Sequence, residues 1–293
     1  MTSTVGILGG DLREVRVAEL LKADGHDVAV FGLGFAGPGE IVNSPTIADA
    51  VADREWIICP APGLGENDQL YAPNALAPLF LSESLLSGTA ASKGGLVLGL
   101  QSPTLAETAG HLGIPIYEFK GDRVLAAVVA SAVAEALVAE LIRVTSRLLR
   151  ELRVTVLGYG ATGSAIADAL VALGCRTSVA SRDGVQREVA RRRGSKAVPF
   201  GEWTRLLSDT DVLVNTIPDP QTIGPELYST LAQKTVIDIS SPPGGLDHEA
   251  ARSSGVTVIW ARGLAGLRAP LTIGEAQYEF VRRAMSESSA TAT

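Results

Sequence analysis

Short apolar runs closed by glycine alternate with longer amphipathic stretches along most of the chain. Thr4–Leu8 is apolar and ends in Gly9-Gly10. Leu12–Ala23 then carries Val15, Leu20 and Leu21 on a helical pattern, and Asp27–Phe31 is apolar again. Trp56–Cys59 and Gly95–Leu100 have the pattern of buried strands followed by turns, Leu105–Leu112 that of a helix, and Pro115–Phe119 that of a short strand. Strands alternating with helices predict βαβ units and a mainly parallel sheet.

From Asp122 to Arg150 there is no Pro or Gly, and Leu137, Leu141, Val144 and Leu148 recur at helical spacing. This predicts one long helix, capped at its start by Asp122. The alternation then resumes. Strands are expected at Arg153–Leu157, Arg176–Ala180, Val212–Asn215, Thr235–Ile239 and Thr257–Trp260. Helices are expected at Thr162–Leu173, Val185–Arg193, within Gly224–Leu231, at Leu246–Ser253 and at Glu275–Met285. The Ser/Ala/Thr tail from residue 286 has the composition of disorder.

The chain has 293 residues, which suits two domains at roughly 100–200 residues each. The reading is an α/β protein: two Rossmann-like, doubly wound parallel-sheet domains joined by a long helix. Residues 1–121 form a substrate-side flavodoxin/Rossmann-like domain, 122–150 the helix and 151–262 a dinucleotide-binding domain. Residues 263–285 are a cleft loop and a C-terminal helix packing back, and the active cleft is expected between the domains. A formal net charge of −7 argues against a nucleic-acid surface. The two cysteines, Cys59 and Cys175, are far apart and in no metal-binding spacing, so no metal site is expected. Ser131, Glu135 and Glu140 interrupt the most apolar stretch, Val124–Leu141, which argues against a membrane span. With no secretory signal pattern at the N-terminus, a soluble, cytoplasmic protein is expected.

Gly158-Tyr159-Gly160-Ala161-Thr162-Gly163 fits G-x-G-x-x-G between an apolar strand and a helix. That context turns a weak pattern into a dinucleotide loop. Gly158 permits the tight turn, Gly160 admits the pyrophosphate, and Gly163 lets helix and strand pack closely, with Ala161 and Thr162 at the helix start. The next strand ends in Ser181-Arg182, where an NAD enzyme usually carries an acid for the ribose. Two donors there favour the 2′-phosphate of NADP, with NAD as the alternative served by Asp183. Gly6-x-x-Gly9-Gly10 lacks the spacing for a second dinucleotide site, although Asp11 and Arg13 follow it.

The motifs together resemble the family of the dipicolinate synthase A subunit over nearly the whole chain. Gly9-Gly10-Asp11-Leu12-Arg13 is similar to its GGDxR, Gly158–Gly163 to its dinucleotide loop, and Asn215-Thr216-Ile217-Pro218 to its NTIP segment. Asp238–Asp247 is close to its D-L-A-S-x-P-G-G-x-D, and Gly263–Gly266 with Ala269–Gly274 to its G-L-P-G…A-P-x-T-A-G. One segment departs: where the family carries N-S-I-P-T-x-E-G, Glu135 falls on its Glu, but Ala130, Ala132 and Ala136 replace the polar frame. The resemblance implies NAD(P)-dependent dehydrogenation of a dihydropyridine-type dicarboxylate from the lysine pathway, in spore-forming bacteria. It also implies that the partner is a flavoprotein-like B subunit; a homo-oligomer is expected alongside or instead.

Candidate site residues follow. Asn215, Thr216, Ile217, Pro218 and Asp238 close strands of the cofactor domain, where open α/β sheets bind ligands. Arg13, Arg262 and Arg268 adjoin matched segments and suit carboxylates. Arg13, Arg262 and Thr272 are taken as substrate-binding, and Glu135, Ser240 and Arg268 as catalytic. His26, His111 and His248 lie outside the best motifs and are given structural roles. Two other readings stand beside this one: a dehydrogenase of another carboxylated substrate, and a cofactor-binding subunit without chemistry of its own.

Overall fold

The computed structural model describes residues 2–34, 41–65 and 68–291, with side chains through residue 288. It divides into two compact units, Met1–Val128 with Ala269–Thr293, and Val129–Arg268.

In the first unit β1 (Thr4–Leu8), β2 (Asp27–Phe31), β3 (Val42–Asn43), β4 (Trp56–Ile58), β5 (Gly95–Leu98) and β6 (Ile116–Glu118) form a sheet in the order β3-β2-β1-β4-β5-β6. Every pairing is parallel. The centre runs through strands that are apolar on both faces, as helices on both sides of a parallel sheet demand. Leu8, Ile57, Leu96 and Leu98 meet Leu86 and Leu105 from the helices in one core. The C-terminal helix, Pro270–Thr291, lies along the Leu12–Ala23 helix. Gly274 sets their approach, since a Cβ there would stand 2.6 Å from the Arg13 carbonyl oxygen.

The second unit contains β7 (Arg153–Leu157), β8 (Arg176–Ser181), β9 (Lys196–Pro199), β10 (Val212–Asn215), β11 (Thr235–Asp238) and β12 (Thr257–Trp260), in the order β12-β11-β10-β7-β8-β9. Counted within each unit, both orders are 3-2-1-4-5-6, the winding of dinucleotide-binding sheets. The first unit is therefore Rossmann-wound and not flavodoxin-wound. The strand order reverses between β1 and β4 in one unit and between β7 and β10 in the other, and ligands bind at such switch points.

The long helix spans Arg123–Val144 and starts where Asp122 accepts the Leu125 N–H at 2.7 Å. It is long and apolar enough to cross a membrane by length and composition. Ala134, Leu137 and Leu141 enter the core of the second unit beside Val154, Val156 and Ile166. It stops six residues before Arg150, where Thr145 bonds its hydroxyl back to the Leu141 carbonyl at 2.7 Å, and a single turn at Leu149–Glu151 precedes β7. The final helix begins at Pro270 and runs to Thr291, so it takes in most of the tail whose composition suggested disorder. Edge strands β3 and β9 and the helices Ile47–Val51 and Glu83–Ser87 are additions to the sequence pattern. Each is five residues or fewer, too short to show a period.

Candidate active site

The helices that open the two units start differently. In the second unit Gly158 turns with φ +94°, and Gly160 caps the Ala161–Ala172 helix with no side chain bonded to its first turn. A Cβ on Gly160 would meet nothing within 4 Å, whereas one on Gly163 would stand 2.3 Å from the Gly158 carbonyl oxygen. One glycine thus leaves open space before free helical N–H groups, and the other brings helix and strand together. The cradle fits a dinucleotide pyrophosphate, which the Gly160, Ala161, Thr162 and Gly163 backbone would hold.

In the first unit Asp11 caps the Leu12–Ala23 helix by accepting the Arg13 N–H, and Glu14 folds back to accept the Asp11 N–H at 2.9 Å. The Glu14 carboxyl sits where a Cβ on Gly10 would fall, 2.4 Å away. Burial pushes the Glu14 carboxyl up, against the pull of Arg13. Two of the protein's own carboxylates stand here where the second unit leaves its N–H groups open.

Across the second sheet Leu157, Asn215, Asp238 and Trp260 lie in register at the carboxyl ends of four neighbouring strands. Thr216 places its hydroxyl on the Leu157 carbonyl at 2.8 Å, against the glycine turn. Ile217 closes a loop on Asn215: its N–H donates to Asn215 Oδ1 at 3.2 Å and its carbonyl accepts from Nδ2 at 2.9 Å. Pro218 is exposed beyond it. Asp238 is fully buried. Its Oδ1 accepts from the Ser240 N–H (3.0 Å), the Ser240 hydroxyl (2.6 Å) and Asn215 Nδ2 (2.9 Å), and its Oδ2 from the Gly245 N–H (2.8 Å). Burial alone would raise this carboxyl, but the donors outweigh it and hold it below the usual carboxylate range. The charge is therefore kept in the fold.

His248 completes the cluster. Its Nε2 lies 2.8 Å from Asp238 Oδ2 and its ring stacks on Trp260 at 4.2 Å and 15°. Trp260 donates its indole N–H to the Ser240 carbonyl at 3.1 Å, and the Arg262 guanidinium lies 4.9 Å from the Trp260 ring centre. Sequence reasoning gives His248 a structural role and takes Trp260 only as a strand end. The only signal is position, His248 directly after the matched segment and Trp260 at a strand end.

The remaining candidates divide. Arg13 is buried with Nε and Nη2 on the two Asp11 oxygens, both at 2.9 Å, and lies over the Tyr71 ring. Glu135 and Arg268 are brought together as an exposed ion pair at 2.8 Å. Ser240 is buried against Asp238. Thr272 is exposed near the start of the C-terminal helix, in the first unit. Arg262 is exposed and has no carboxylate partner among the described residues. At the end of β8, Ser181 is buried with its hydroxyl 2.7 Å from Gln186 Oε1, and Arg182 is exposed. Asp183 caps the Gly184–Arg192 helix through Oδ1, and Arg187 reaches the carbonyls of Ser181 and Arg182 at 2.8 Å each.

Comparison with known proteins agrees with this geometry. Residues 4–120 match the N-terminal domain of the dipicolinate synthase A subunit, and residues 129–230 the NAD binding domain of D-isomer specific 2-hydroxyacid dehydrogenases. The dipicolinate synthase A subunit of Bacillus subtilis (strain 168) is 34% identical over 138 residues, 46% of each chain, so the match spans under half of that curated relative. In fold, the chain is similar to crystal structures of the A subunit from Bacillus halodurans (TM-score 0.84, 21% identity, 97% of each chain) and from Bacillus subtilis (0.84, 22%, covering 99% and 98%). D-lactate dehydrogenase from Escherichia coli shares the architecture more distantly (0.61, 12%, covering 99% and 96%). The chain thus carries a domain similar to the N-terminal domain of the dipicolinate synthase A subunit, set before a dehydrogenase-type NAD-binding domain.

Proposed function

We propose that the protein dehydrogenates a dihydropyridine-type dicarboxylate to its aromatic pyridine, with NADP preferred to NAD. The observation that carries this reading is the open Gly160 cradle at the switch point, in the same sheet as the Asn215–Asp238–Trp260 row. The bound nicotinamide would supply the hydride acceptor. The chain's own residues supply the rest: the glycine loop holds the phosphates, and the Asn215–Pro218 turn backs the site. The buried Asp238 network keeps the Ser240–Gly245 loop in one conformation.

Arg262 is the best-placed partner for a substrate carboxylate. Arg13 and Arg268 already neutralise Asp11 and Glu135, whereas the planar fork of Arg262 is open at the end of β12. Arg182 supports the preference for NADP. It stands beside the ribose position of a Rossmann fold, and the acid that would compete for that ribose, Asp183, is occupied as a helix cap. That the relative is named as one subunit of a synthase supports a partner subunit, which the family resemblance implies to be a flavoprotein-like B subunit. The cytoplasm is the proposed compartment.

A second reading, another carboxylated substrate, draws on Ala130, Ala132 and Ala136. They are buried in a regular helix where the family has a polar segment. Thermal shift of the full chain with NADP, NAD and pyridine-2,6-dicarboxylate tests both readings. Stabilisation by NADP, and further by the dicarboxylate, supports the first. Stabilisation by the cofactor with none from that dicarboxylate, and activity on a different acid, supports the second. No response to either cofactor refutes both.

A further inference from the structure

We propose that His248 is the proton acceptor of the dehydrogenation, oriented by Asp238; this rests on the function proposed above. The Asp238 carboxylate already accepts from Ser240, Asn215 and Gly245, and a buried carboxylate ion has no proton to give. The 2.8 Å contact to His248 Nε2 is therefore an N–H donation. That fixes the tautomer and leaves Nδ1 as an acceptor, the arrangement by which a carboxylate prepares an imidazole as a base. Nδ1 has no hydrogen-bond partner among the described residues and is not one of the buried atoms lacking one. Trp260 holds the ring flat by stacking, while its indole N–H ties Trp260 to the Ser240 carbonyl. The imidazole is thus constrained by its neighbours with one nitrogen open.

The charges around it suit the task. Asp238 from β11 faces Nε2, Arg262 lies over Trp260 from β12, and Asp247 and Glu249 flank His248 on its own helix. A bound oxidised nicotinamide would accept the hydride of one ring C–H of the substrate. The electron pair of the neighbouring C–H bond becomes the new double bond, and its proton goes to Nδ1. The imidazolium so formed is stabilised by Asp238. Arg262, reaching from the same strand end, would hold the substrate carboxylate near that nitrogen.

Two measurements on the full chain test this. Nitrogen NMR is expected to report Nε2–H with a bare Nδ1 in the neutral His248 ring, without any ligand. Protonation of Nδ1 in the neutral ring overturns the proposal. His248→Gln keeps an amide donor that can reach Asp238 but has no base. It is expected to bind NADP as wild type and to lose kcat by on the order of 10²–10⁴-fold, together with the acidic limb of the pH profile. A variant that keeps both kcat and that limb overturns the assignment. Loss of kcat with an unchanged pH profile and lowered cofactor affinity makes His248 structural. If neither variant nor wild type binds NADP, the function proposed above falls, and the NMR result still decides the tautomer.

Discussion

Glu14 accepts the Asp11 N–H at 2.9 Å, at a helix start whose counterpart in the second unit has no side-chain cap. The two sheets share one winding, yet among the described residues the helix start at Gly160 has no side-chain cap, while Asp11 and Glu14 take the Arg13 and Asp11 N–H groups in the first unit. The expected stoichiometry is therefore one dinucleotide per chain, measured by calorimetry. A second site of similar affinity would contradict the role given to Asp11 and Glu14.

The buried Glu14 contact makes a pH prediction. Glu14 Oε1 accepts from Gln277 Nε2 at 3.0 Å, while Gln277 Oε1 is buried with no partner. Burial raises the folded-state pKa of Glu14. Its contribution is therefore full below the unfolded carboxyl range, about 4.3, and is lost as pH rises through the raised folded value. Glu14→Gln removes the buried charge and offers an amide donor to a turned Gln277. An unsatisfied buried group costs about 1–3 kcal/mol, so the variant is expected to melt at or above the wild-type temperature at pH 8. The difference should shrink on acidification. A lower melting temperature at pH 8 would refute this account.

The glycines of the cofactor loop separate binding from folding. Gly160→Val adds a side chain into open space and is expected to change stability by no more than about 0.5 kcal/mol while abolishing NADP binding. Gly163→Ala drives a methyl against the Gly158 carbonyl oxygen, 2.3 Å away. It is expected to destabilise the fold itself by ~1–3 kcal/mol. Equilibrium unfolding and cofactor titration of both variants check the pair.

Cofactor choice should depend on Arg182. The wild type is expected to favour NADP, and Arg182→Ala to lose mainly that preference, in affinities measured for both dinucleotides. Equal weakening of both, or a wild type that favours NAD, would return the role to Asp183, whose second carboxylate oxygen makes no cap bond.

Among the arginines, Arg262→Ala is expected to raise the KM for the dicarboxylate by on the order of tenfold or more, since a charge-assisted hydrogen bond contributes ~1.5–3 kcal/mol. Arg13→Ala should instead lower the melting temperature, because it leaves Asp11 without its bidentate partner. An unchanged KM in Arg262→Ala removes that residue from the site.

The sequence alone determined the α/β class, the alternation of strands and the dinucleotide loop. Each is a local matter: periodicity follows from side-chain geometry, and the spacing of Gly158, Gly160 and Gly163 follows from a turn a few residues long. It could not determine that the first unit has the same winding, because its edge strand β3 carries little pattern. Nor could it show what each charge pairs with. Arg13, Arg262 and Arg268 look alike in sequence, and only packing separates the two bound to Asp11 and Glu135 from the one left open. Asp238 and His248 are ten residues apart with a turn and a cap between them. Their contact depends on the β11 register and on where the Ser240–Gly245 loop sets down the next helix. A hydrogen bond across such a loop is decided by three-dimensional closure, so a histidine to which the pattern gives only a structural role emerges as the best candidate base in the folded chain alone.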